Sequence, residues 1–388
     1  MTRRTLTRRT LTRRKLAGVI RPVDPQLTPG SVEPADVLMC IDAAALARLR
    51  ATLRHLVVGL VDHPVRLRLL SASRDVEALC LGPVQAIQHP PIRWPFRSGR
   101  ASQIAESLEE DPPKVVHAAS AESYALTTRL AKALDARLAV DVSSMEDCRL
   151  VRRLASGRPM QVITFSEPLS QLLRRRSGIP EDSIDLIRPG VIAGNEPACF
   201  SDAQRTPTLM CAMPFTRESQ VHDLVSALAI LRDRGAPFIA FILGEGSREF
   251  ALRRMVRRKK LNAQVTLANL REGIGDTMSS ADLFVVPASM EYVSIRLLQA
   301  LAVGVLIVAR PSPINDALRD GETAMLCPEG SPEALADCLE RAINDRDASM
   351  RIARGGMEYV RAHHTVSDMA QRTADVYRRL APPKVSPN

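Results

Sequence analysis

Glu291 and Gln299 stand where the sequence could handle a polar ligand. Leu283-Phe284-Val285-Val286 reads as a buried strand that ends at Pro287. A short loop follows, then a helix whose pattern starts near Tyr292 or Val293. The first amides of a helix have no intrahelical partner, so the N–H groups near Val293 and Ser294 can seat an anion such as a diphosphate. Glu291 sits at that mouth, where a carboxylate accepts hydrogen bonds from hydroxyl groups. Its bland role is an exposed acid stabilised by the helix dipole. Gln299 lies a little over two helical turns further on and returns near the same face. Gly244 and Gly246 end another strand and permit a tight turn, which the chain needs with or without a ligand. His117 ends a strand in the first half, where a lone histidine is more often structural than catalytic.

Other chemistries find little support. The seven cysteines are dispersed, with no C-x-x-C and no Cys/His cluster at zinc spacing, so they read as reduced and mostly buried. His363-His364 is expected at the surface. The formal net charge of +10 favours anionic partners. Aromatic residues make up only 3 %, which disfavours base stacking and makes nucleic acid an improbable partner. The longest apolar run, Ala300 to Ala309, is far short of the ~20 residues of a membrane-spanning helix. The apolar stretch after the N-terminal arginines is too short for a signal peptide, so the cytoplasm is the default expectation.

These residues need elements to hold them. Residues 1–34 read as a basic low-complexity tail and linker, with a threefold Thr-Arg-Arg repeat in the first sixteen. From Ala35 short apolar strands alternate with amphipathic helices. Strands are expected at 37–41, 65–70, 76–81, 114–118, 138–142 and 161–165, with Pro83 to Pro95 as loop. After a polar stretch from Ile192 to Pro207 the alternation restarts, with strands at 208–212, 238–243, 265–267, 283–286 and 305–308. Helices are expected at 248–260, 274–280 and 294–302, and a final one at 366–380. This is an α/β chain of two Rossmann-like units, 35–195 and 207–362, followed by residues 363–381. Parallel sheets of this kind bind ligands outside their strand C-termini.

Several stretches carry a more specific signal. Val162 to Glu167, Ile184 to Val191, Phe241-Ile242-Leu243-Gly244-Glu245-Gly246, Ala281 to Pro287 with Glu291, Ala300, Gly304, Val308 and Ala309, and Gly321 to Leu326 follow one another in order. Together they resemble the retaining glycosyltransferases of the GT-B fold, in particular glycosyltransferase family 4. The resemblance is strong from Ser166 onward and weak before about residue 112.

It implies two Rossmann-like domains facing across a cleft, the first for an acceptor and the second for a nucleotide-sugar. It also implies a C-terminal helix crossing back to the first domain. The implied activity is hexosyl transfer to a glycan, lipid or small-molecule acceptor, with no metal or other cofactor required. Glu291 would orient the donor sugar, Gln299 contact the ribose, Val293, Ser294, Gly244 and Gly246 line the donor site, and His117 face the acceptor. Basic clusters at Arg253-Arg254 and Arg257 to Lys260, and at Arg174-Arg175-Arg176, would suit peripheral contact with an anionic membrane at the cytoplasmic face.

The chain also departs from the family pattern. The second family glutamate is Gln299, and the two phosphate-clamping cations fall on Pro214 and Ser219. The family's Gly-Phe-Gly is Tyr292-Val293-Ser294, and a family histidine is replaced at Ser143-Ser144. Asp316, where the family has glutamate, is expected to cap the short helix beside it, and Ser166 to cap the helix that follows it. A degenerate donor site of this kind leaves open a catalytically inactive binding or assembly subunit.

Overall fold

The computed structural model describes residues 33–90, 97–154, 159–176, 178–202, 204–269, 277–328 and 330–381. The basic repeat and residues 274–276 of the expected helix at 274–280 lie outside these residues. Two parallel sheets form the framework. The first contains β1 (Ala35–Cys40), β2 (Val65–Ser71), β3 (Gln85–Gln88), β4 (Val115–Ala118), β5 (Arg137–Val142), β6 (Met160–Thr164) and β7 (Ile184–Leu186). Its spatial order is β3-β2-β1-β4-β5-β6-β7. The second contains β8 (Thr208–Ala212), β9 (Ile239–Leu243), β10 (Val265–Ala268), β11 (Leu283–Val286), β12 (Leu306–Ala309) and β13 (Met325–Leu326), in the order β10-β9-β8-β11-β12-β13. The central strands β1, β4, β8, β11 and β12 are buried along their whole length, as apolar runs covered on both faces must be.

The helices are α1 (Ala43–Leu60), α2 (Arg97–Ser107), α3 (Tyr124–Ala133), α4 (Met145–Leu154), α5 (Glu167–Arg176), α6 (Val221–Asp233), α7 (Glu249–Arg258), α8 (Ile295–Ala302), α9 (Pro332–Asn344), α10 (Arg346–His363) and α11 (Val366–Leu380). Side-chain caps start several of them. Asp42 accepts from Ala44 N at 2.8 Å for α1, and Thr365 from Asp368 N at 3.1 Å for α11.

Local chemistry changes some expectations. Residues 74–79 form a 3-10 turn and not a strand, because the Ser73 hydroxyl accepts from Asp75 N at 3.2 Å and buries Val76 and Leu79. The edge strand falls in the proline-rich stretch read as loop, where Gln85–Gln88 pairs with β2. The alternation carries no helix between Val142 and Gln161, yet α4 forms there, started by Ser144 Oγ accepting from Asp147 N at 3.0 Å.

The polar stretch after Val191 is not slack. Asp282, only 1 % exposed, accepts from Phe200 N, Thr208 N and Arg205 Nη2 at 2.8, 2.8 and 2.9 Å. Gly194, Ala198 and Cys199 donate backbone bonds to Ala302, Val303 and Gly304. The last helix returns to the first sheet's side. Tyr377 of α11 is fully buried and its hydroxyl meets His117 Nδ1 of β4 at 2.7 Å. Gly59 makes room for it, since a Cβ there would stand 2.6 Å from Ala370 Cβ.

Candidate active site at the second sheet

The order of the second sheet reverses at β8 and β11. Connections leave that pair in opposite directions, which opens a crevice beyond the strand C-termini. Two loops bound it, 213–220 after β8 and 287–294 after β11. The sequence-predicted residues Glu291, Val293 and Ser294 lie on the second loop, and Gln299 on α8 beyond it.

The first loop is laced to the turn after β9. Met213 N donates to Leu243 O at 3.0 Å, Phe215 N to Glu245 O at 2.9 Å, and Arg248 N to Phe215 O at 2.9 Å. Gly244 and Gly246 make this possible. A Cβ on Gly244 would stand 2.0 Å from Met213 O, and one on Gly246, at φ +150°, would stand 2.6 Å from Phe215 O. Backbone approach alone therefore requires both glycines. Ser219 is buried and donates to Thr216 O at 3.0 Å. Gln220 precedes α6 in the left-handed region at φ 52°, a conformation that favours glycine. Arg217 borders, with His222 and Arg248, a cavity of about 260 Å³ against α7. No cation stands at positions 214 or 219.

The second loop is held from two sides. Ser312 Oγ donates to Met290 O at 2.6 Å, and Asn315 Nδ2 to Tyr292 O at 3.1 Å. On the other side it pairs with the loop after β5. Met145 N donates to Glu291 O at 2.9 Å and Val293 N to Ser143 O at 2.8 Å, which makes Ser144 and Tyr292 an antiparallel bridge. The Val293 amide expected at an anion seat is thus bonded to a carbonyl here. The helix starts later than the pattern suggests, at Ile295, because Ser294 caps it by accepting from Leu297 N at 3.3 Å. Glu291 therefore lies in the loop, exposed, and not in the first helical turn. Gln299 is half-buried on α8, three residues after Arg296 and on the same side of the helix. Burial pushes the Tyr292 hydroxyl up and pulls the Arg296 guanidinium down from their ordinary ranges.

His117 borders only a small cavity of about 30 Å³, beside Asp141 and Met369. It is 1 % exposed, its Nε2–H donates to Asp141 Oδ1 at 2.9 Å, and its other nitrogen meets the Tyr377 hydroxyl. One ring nitrogen ties α11 to β4 and the other is bonded to Asp141 of β5, so both are used in structural contacts and the acceptor-side assignment gives way to a structural one. Asp316 does not cap its own helix. Its Oδ2 accepts from Arg188 Nη2 at 2.6 Å and from Glu167 N at 3.3 Å, so it caps α5 from the other half of the chain. The Ser166 hydroxyl, expected as that cap, is buried without a hydrogen-bond partner. His364 is not at the surface either. It is 2 % exposed, and Nδ1–H donates to Pro189 O at 3.0 Å.

Sequence reasoning passed over the pairing of 143–145 with 291–293, which has no local signal. It also passed over Arg296, whose signal was a lone cation inside the apolar Ile295-Arg296-Leu297-Leu298. Among the described residues no group of three His, Cys, Asp or Glu side chains could hold a metal ion. None of the described helices is long and apolar enough to cross a membrane.

The α-D-kanosaminyltransferase of Streptomyces kanamyceticus is 24 % identical over 177 residues, 45 % of this chain and 46 % of that protein. The GDP-mannose-dependent alpha-(1-6)-phosphatidylinositol monomannoside mannosyltransferase of Mycobacterium tuberculosis is 23 % identical over 248 residues, 59 % of this chain and 64 % of its own length. The chain thus spans less than two thirds of either relative. Among solved structures, Anabaena Alr3699/HepE in complex with UDP and glucose superposes with a TM-score of 0.72 at 15 % identity, covering 88 % of this chain and 99 % of that one. A glycosyltransferase from Rickettsia africae gives 0.71 at 17 % identity, covering 92 % and 100 %. Residues 206–345 match the family of glycosyl transferases group 1, and the chain around them has the GT-B fold of glycosyltransferases.

Proposed function

We propose that this chain is a retaining glycosyltransferase of family 4. It transfers a hexosyl group from a nucleotide-sugar to a glycan, lipid-linked or small-molecule acceptor. One observation carries the reading: Glu291, exposed and with no side-chain partner among the described residues, stands on the loop after β11, which Ser312 and Asn315 fix at the β8/β11 crevice. Residues 207–362 would hold the donor, 35–195 the acceptor, and 363–381 tie the two together. The nucleotide ligands of Alr3699/HepE and the GDP-mannose of the mannosyltransferase support a nucleotide-sugar, without choosing the base.

Glu291 accepts from the donor sugar's hydroxyls and orients the anomeric carbon. Its negative charge also stabilises the oxocarbenium-like transition state. Gln299 accepts from the ribose, more weakly than a carboxylate would. The diphosphate leaves toward the amides at Ser294 and, once Ser143 has released it, Val293. A departing phosphate oxygen takes the acceptor proton, so no protein base and no metal is needed. Gly244 and Gly246 keep the neighbouring turn out of the ligand's way.

A thermal-shift panel of UDP, GDP, ADP and their sugars tests the reading on the full chain. A ligand that binds only the folded state raises stability with its excess over Kd. One nucleotide is expected to give a clear shift and to name the donor base. With that donor and a matched acceptor, Glu291→Ala is expected to lose about 100-fold or more in kcat while the protein stays folded. A folded chain that binds no nucleotide would instead point to an inactive binding or assembly subunit.

A further inference from the structure

The two family cations that clamp donor phosphates have no counterpart at Pro214 or Ser219. Ser219 is buried in its own turn and Pro214 carries no polar side chain, so neither position can be rescued by a rotamer change. A diphosphate in the β8/β11 crevice still needs a positive partner.

Arg296 is a cation on α8 at the end of the 287–294 loop, whereas Arg217 and Arg248 face the separate cavity against α7. Arg296 is half-buried and makes no ion pair or hydrogen bond to a described residue. Its charge neighbour is the Tyr292 hydroxyl, which also feels Arg48 of α1 from the first half. Arg296 shares a side of α8 with Gln299, and the intervening Leu297 and Leu298 are fully buried. Its guanidinium therefore lies on the less buried side of α8, next to Tyr292 of the crevice loop. A half-buried guanidinium with no carboxylate is a cost to the empty protein, and a cation in the first turn also opposes the helix dipole. Both costs disappear when an anion is bound.

We propose that Arg296 binds the donor diphosphate, in place of the cations missing at positions 214 and 219, in a pocket mouth formed with Tyr292 and Gln299. The inference rests on the nucleotide-sugar reading above and names the residue that makes that site work. Arg296 is a binding residue and takes no proton in the reaction.

The test is isothermal titration of the full chain with the preferred nucleoside diphosphate and with the same nucleoside lacking phosphate. Arg296→Met and Arg296→Lys are compared with wild type. Arg296→Met is expected to weaken the diphosphate roughly 10–100-fold and leave the nucleoside unchanged. Arg296→Lys is expected to keep most of the affinity. Because a desolvated charge is removed, Arg296→Met should melt at or above the wild-type temperature, whereas a merely structural arginine would lower it. Equal diphosphate affinity in Arg296→Met and wild type would overturn the inference and leave the glycosyltransferase reading standing. A wild-type chain that binds no nucleotide would overturn both.

Discussion

His364 closes α10 with its ring buried against Pro189. Burial and the nearby Arg188 charge pull its imidazole from the ordinary 6.5 down to about 4, against the opposing pull of Pro189 O and Asp316. The folded protein thus keeps this histidine neutral while the unfolded chain takes up a proton below pH 6.5. The stabilising contribution is fully present above that pH and is lost as pH falls through the window toward 4. At pH 5 the loss is on the order of 2 kcal/mol. Melting temperatures measured from pH 7.5 to 4.5 should therefore fall more steeply for wild type than for His364→Asn, whose amide can still donate to Pro189 O. Parallel slopes would show that other groups govern the acid limb. The same residue joins both halves, since Val191 N donates to His364 O. Mild acid is thus expected to loosen the contact between α10 and the 187–191 segment first.

At the scale of elements, α7 presents an unusual face. Leu252 and Val256 bury one side, while Phe250, 73 % exposed, stands with Arg254, Arg257 and Arg258 on the other. Arg253 is paired to Glu249 at 2.8 Å, but these three arginines carry no ion pair among the described residues. Such a stripe suits an anionic bilayer, with ~1 kcal/mol per basic residue and the ring in the interface. Full-length protein should sediment with vesicles containing phosphatidylglycerol and not with neutral phosphatidylcholine, and release at high salt. Replacing Arg254, Arg257 and Arg258 with glutamate should abolish the binding, and unchanged sedimentation would exclude this face. The arginine run was legible in the sequence; its alignment with Phe250 needed the helix bounds. The same division holds across the fold. Central strands such as β8 and β11 were legible because both faces are buried and their residues are uniformly apolar. The edge strand β3 was not, because its exposed Gln85 and Gln88 blend with a proline-rich neighbourhood. Gly244 and Gly246 could be read from type and place. The pairing that keeps 291–293 out of α8 was not legible, because its strand partner lies almost 150 residues earlier.

At the scale of the molecule, that distant partner fixes which backbone groups of the 287–294 loop are already bonded. α11, seated by Gly59 and by the His117–Tyr377 bond, ties the C-terminal end to the first sheet. Gly190 belongs to the same contact, because a Cβ there would stand 2.6 Å from Val366 Cα. Arg188 and Asp316 form a second tie between the halves. These bonds act as a base about which the two sheets are held. The 143–145 and 291–293 ladder is a different kind of contact, since it uses two backbone hydrogen bonds and engages the loop after β11 itself. The Val293 N–H cannot serve Ser143 O and a phosphate at once. Donor binding should therefore compete with the ladder, and locking the ladder should exclude the donor. Ser144 and Tyr292 form a non-hydrogen-bonded antiparallel pair, whose typical Cα separation of ~4.5 Å suits a disulfide. Oxidised Ser144→Cys/Tyr292→Cys protein should lose the thermal shift given by the preferred nucleoside diphosphate. Reduction of the same sample should restore it, which separates the lock from the loss of the Tyr292 ring. Equal shifts in the oxidised and reduced forms would mean that the diphosphate binds without Val293, leaving Ser294 and the side chains of α8 to hold it.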